Sequence, residues 1–115
     1  MTEMNDFMLL FRYEPSNTEP TPEQIQEMHK NWDEFIGKIA MQGRLVSTHQ
    51  LGFEGRKIKG NHITEDGFDI VGGFILGGNM VLKAESIESA TAIAKNCPIL
   101  FMGGTVEVRN IVPMN

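Results

Sequence analysis

Residues 7–13, FMLLFRY, set apolar side chains on both sets of alternate positions, the pattern of a strand buried on its two faces. Phe7, Leu9, Phe11 and Tyr13 point one way, and Met8, Leu10 and Arg12 the other. The run EPSNTEPT at 14–21 breaks any periodicity with two prolines, Ser16 and Asn17, and reads as a loop. A helix follows, opened by Thr21 as cap, Pro22 at the first helical position and Gln24 as the far half of a capping box. Its core stripe is Ile25, Met28, Trp32, Phe35 or Ile36, and Ile39, and Gly43 ends it in a left-handed conformation. A second strand is predicted over 45–53 and a hairpin excursion over 54–67, turning near Gly55 and Gly60. A strand follows between 74 and 83. Ser86 caps a second helix with Ile87, Ala90, Ile93, Ala94 and Cys97 on one face, and Pro98 stops it. The β-branched run at 105–112 is a last strand.

The order β, α, β, hairpin, β, α, β predicts a single α+β domain over 1–115. It is a ferredoxin-like βαββαβ sandwich with an extra hairpin and both helices on one face of the sheet. The other face then carries Met8 and Leu10, and leaving these in water forfeits roughly 1.5–3 kcal/mol each. A second subunit packed sheet to sheet would cover them, so a homodimer is expected.

Charge narrows the partners. A formal net charge of −5 and scattered basic residues argue against nucleic acid, which wants a basic face. The acidic N-terminus lacks the form of a secretory signal, and no apolar run approaches the ~20 residues of a membrane span, so neither export nor a membrane is expected. The lone Cys97 excludes an internal disulfide and any multi-cysteine metal site, which points to a reduced, cytoplasmic protein. His29, His49 and His62 fall on separate elements with no ligand spacing, so no metal and no cofactor are expected.

The glycine-rich stretch TEDGFDIVGGFILGGN, 64–79, invites comparison with a phosphate loop. Such a loop joins a strand to a helix N-terminus and often carries Gly-Lys-Ser/Thr. This stretch opens no helix and has no such triplet, so its glycines are read as turns, bulges and close backbone approaches.

Several strings carry a family resemblance: FMLLFR at the start, TPEQIQEMHKNWDEFIGKIAMQGRLV through the first helix, AESIESATAIAKNCP, and the closing GGTVEVR. Together they resemble the YCII-related (DGPF-domain) family, whose members are ferredoxin-like and dimerise into an α+β barrel-like assembly. The family's DGPF motif falls on DGFD, Asp66 to Asp69, where Phe68 replaces the proline. Shorter members carry a His on the first helix and an Asp near the end of the second as a catalytic dyad. Counted back from Gly43, the His position is Trp32, and the Asp position is Cys97, directly before Pro98. A one-turn slip would place His29 there instead.

Two functional readings follow. The resemblance implies a small organic acid or aromatic compound held in a dimer cavity, with cofactor-free acid–base chemistry of a lyase or isomerase kind. His29 and Asp66 are then the candidate proton-moving groups, and Arg12, Trp32, Glu107 and Arg109 the candidate ligand-binding ones. The bland alternatives are a solvated helix edge for His29, a turn former for Asp66, core for Trp32, and mutual ion pairing for the arginines and Glu107. Cys97, at a helix C-terminus, is read as a buried small hydrophobe rather than a nucleophile. The second reading, suggested by family domains fused to sigma-factor-like proteins, is a non-catalytic dimeric regulatory or interaction module.

Overall fold

The computed structural model describes residues 3–15 and 18–114, which leaves Ser16 and Asn17 of the predicted loop outside it. Six strands and two helices follow in the order β1 (Asn5–Tyr13), α1 (Pro22–Met41), β2 (Leu45–Gln50), β3 (Arg56–Ile58), β4 (Thr64–Asp66), β5 (Ile75–Ala84), α2 (Ile87–Ala94) and β6 (Thr105–Asn110). A short 3-10 turn, Pro98–Met102, lies between α2 and β6 and was not expected from the sequence. Strands β2-β5-β1-β6 form one antiparallel sheet, an order compatible with a ferredoxin-like fold, while β3 and β4 pair only with each other.

The ends of α1 are fixed by local chemistry. The Thr21 hydroxyl accepts from the Gln24 amide at 3.2 Å, and the Gln24 side chain accepts from the Thr21 amide at 2.9 Å. At the other end Gly43, at φ +70°, donates to Ala40, and Arg44 donates to Ile39, closing a Schellman motif. The predicted stripe is present but unevenly covered. Phe35 and Ile39 are buried, Trp32 is half-buried, and Ile25 is 39% exposed, so coverage falls away toward the N-terminal turns of α1.

The core lies between the helices and one face of the sheet. Phe7, Leu9 and Phe11 from β1 and Met80, Leu82 and Ala84 from β5 meet Phe35 and Ile39 of α1 and Ala90 and Ala94 of α2. The small side chains of α2 let its backbone approach the strands closely. Trp32 meets Phe11 edge-on at 5.2 Å and Phe35 at 6.0 Å. An ion pair ties the connection between α1 and β2 to the turn that leads into α2. Arg44 donates to Glu85 at 3.0 Å and to the Lys83 carbonyl at 3.1 Å, and Ser89 donates to Glu85 at 2.9 Å.

The glycine stretch is architecture, as the sequence suggested. Val71 and Phe74 exchange two backbone hydrogen bonds of 3.0 Å around Gly72 and Gly73, both with positive φ, which is a two-residue hairpin turn. The register of β1 on β5 slips at Gly77, and the Tyr13 ring occupies the space a Cβ there would need. At Gly78 a Cβ would sit 2.6 Å from the His49 carbonyl oxygen of β2.

Two stability predictions follow from these contacts. Gly78→Ala must push β2 from β5, at a cost of about 1–3 kcal/mol; thermal unfolding followed by circular dichroism should show a melting temperature lower by roughly 5–15 °C. Arg44, its own backbone and Ser89 hold the Glu85 carboxyl below its ordinary 4.5, at about 2. Its contribution is therefore present above pH ~4.5 and lost as the pH falls toward ~2. Glu85→Gln should lower the melting temperature at pH 7 and lose that deficit relative to wild type near pH 2.

Candidate functional site

The strand register decides which side chains share the face that the helices leave open. Met8 lies opposite Val81 on one side and Arg109 on the other, and Leu10 lies opposite Asn79 and Glu107. Arg12 lies opposite Thr105, and on β2 Ser47 and His49 face Val81 and Asn79. This face is apolar only along its middle, where Met8, Leu10 and Val81 are each half-buried; its flanks are polar. The expectation of a largely apolar second face is corrected to that extent.

At one end of this face three of the candidate residues meet. Arg12 donates to one carboxylate oxygen of Glu107 at 2.9 Å, and Arg109 donates to the other at 3.1 Å. Hydrogen bonding from Arg109 and the charges of both guanidiniums hold the Glu107 carboxyl below its ordinary value. Two cations on one anion leave a local surplus of one positive charge, in a chain whose net charge is −5. Beside them is a solvent-open groove of about 510 Å³, bounded by Arg12, Val71, Phe74, Thr105, Val106 and Glu107. A hollow of about 380 Å³ on the helical side, near Phe35 and Phe101, has Glu34 and Lys38 on its rim, whose charges offset each other.

The remaining candidates lie elsewhere. His29 is exposed on α1, and Trp32 packs into the helical side of the sheet, so the sheet separates both from Arg12. Asp66 ends β4, almost wholly exposed, with its carboxylate 3.2 Å from the Arg56 Nε. It is a strand residue in a cross-strand ion pair, not the turn former offered as the alternative to a proton-moving role. His49, to which the sequence gave no role, stands on the open face because β2 pairs with β5 in this register. Among the described residues no group of three or more His, Cys, Asp or Glu side chains is arranged to hold a metal ion.

Cys97 is fully buried between α2 and the 3-10 turn, and burial pushes its thiol up to about 11. The reading as a small core hydrophobe fits this place.

The model of the YCII-related domain family matches residues 6–115, and the chain belongs to that family. A search of curated proteins finds no match. No helix is long and apolar enough to cross a membrane among the described residues.

Burial of Cys97 makes a chemical prediction. At pH 8 a thiol this high is almost wholly neutral, so disulfide-forming reagents should modify native protein about a hundredfold more slowly than protein unfolded in guanidinium. Equal rates in the two states would contradict the packing around α2.

Proposed function

We propose that this protein is a homodimeric binding module that holds a small organic anion against Arg12, in the space between two facing sheets. The observation that carries this reading is the surplus positive charge of Arg12 and Arg109 over Glu107, set beside apolar Val71 and Phe74. A guanidinium offers a carboxylate two parallel donors, and apolar walls suit the hydrocarbon part of an aromatic or aliphatic acid. Sheets stacked face to face lie ~10 Å apart, which would shield such a site from water and strengthen its electrostatics. Met8, Leu10 and Val81 along the middle of the face would supply the apolar contact between copies.

The reading is one of binding. Acid–base turnover of the kind the family resemblance suggests needs a proton-moving group beside the ligand. His29 lies across the sheet from Arg12, and Asp66 is engaged by Arg56. A second reading, an interaction module that takes no small ligand, is favoured by one fact: Glu107 already engages both guanidiniums.

A thermal-shift panel of benzoate, phenylacetate, succinate and related acids separates the two. Saturation at about a hundredfold over Kd adds about 2.7 kcal/mol, roughly 8–15 °C in a domain of this size. The shift should vanish in Arg12→Ala and be reduced in Arg12→Lys, whose ammonium cannot form the paired bonds. An undiminished shift in Arg12→Ala would move the site away from the groove, and no shift with any acid would favour the interaction module.

A further inference from the structure

The connection from β2 to β5 has no core of its own. From Leu51 to Phe74 not one residue is buried, although Phe53, Ile58, Ile63, Phe68, Ile70 and Val71 all lie in it and all are exposed. Its only regular structure is the two-stranded hairpin β3–β4, three residues per strand. A lone hairpin of that length is marginal in water. The ion pairs Arg56–Asp66, Lys57–Asp69 and Lys59–Glu65 are internal to the segment, and exposed pairs of this kind stabilise little. The molecule is also less compact than its length requires. The radius of gyration is 16.0 Å, where a compact chain of this length gives about 13 Å, and the molecule is a slab of 48 × 44 × 20 Å.

We propose that this segment is an arm that lies on a second copy of this chain. The inference rests on the reading that the open sheet faces of two copies meet. Three observations favour a second copy over another partner. The arm leaves the sheet at the Arg12 end, and Val71 and Phe74 at its base already wall the groove on the open face, so it continues the surface through which the copies meet. At up to ~3.3 Å per residue, Gly52 to His62 reaches roughly 30 Å, enough to cross a face whose strands average about 26 Å. The area also calls for it. Four strands ~4.8 Å apart give a footprint of roughly 500 Å², whereas a stable interface takes about 800 Å² from each partner. The apolar side chains of the arm supply the difference, and a two-fold arrangement uses both arms alike.

Hydrogen exchange and sedimentation equilibrium test the arm without any ligand. Backbone amides of 51–74 should exchange at least about tenfold more slowly in wild type at dimer concentrations than after dilution to monomer, or in Leu10→Asp. The double variant Phe53→Ser, Ile58→Ser changes only exposed positions, so its fold should survive by circular dichroism. Its dimer dissociation constant should rise at least about tenfold, while Ile87→Ser, exposed on the helical side, leaves it unchanged. Arm amides that exchange equally in dimer and monomer, or a double variant that dimerises as wild type does, would overturn the arm and leave the sheet-to-sheet dimer standing. A wild type that stays monomeric at every concentration would overturn both.

Discussion

Two helices lie on one face of a four-stranded sheet, and this imbalance governs the rest of the molecule. On the covered side the alternation of β1 delivers Phe7, Leu9 and Phe11 into a closed core with Met80 and Leu82. On the other side the same alternation delivers Met8, Leu10 and Arg12, each half-buried, to a face that no helix among the described residues covers. A strand cannot hide both sets with helices on one side only. The polar cluster of Arg12, Glu107 and Arg109 stands on that uncovered face for the same reason.

Burial and charge on the open face are balanced differently from the core. The core consists of apolar residues alone, with no buried polar or charged residue among those described. The open face surrounds a narrow apolar centre with groups that water or a ligand can satisfy. Such a surface tolerates exposure in the free chain and still gains from association, the composition found at many interfaces between copies. Glu107 keeps the two guanidiniums in place, and a ligand carboxylate could join them without stripping either of a bond, since each guanidinium has further donors.

Much of the fold was legible because its signals are local. The cap at Thr21, Pro22 and Gln24, the left-handed Gly43, and the cap at Ser86 each depend on a few neighbouring residues, and each forms as the sequence implied. Features set by distant residues were harder to read. Gly77 is required by the ring of Tyr13 and Gly78 by the His49 carbonyl, partners that only the strand order brings near. Periodicity placed Ile25 on the inner stripe of α1 but could not say that nothing buries it there. The run PILFM after Cys97 has no period, so its 3-10 turn gave no signal. Among the candidate site residues, Arg12, Glu107 and Arg109 were legible together, since alternation on two neighbouring strands puts them on one face. His29 and Trp32 belong to a helix, and a helix in this fold lies on the other side.

The central claim is that a second copy covers the open face. Light scattering on the eluting peak of a sizing column, for wild type and for Leu10→Asp, tests it most directly. The account predicts twice the chain mass of 12.9 kDa for wild type and a single chain mass for a folded Leu10→Asp. A monomeric wild type, or a Leu10→Asp dimer as tight as wild type, would contradict it.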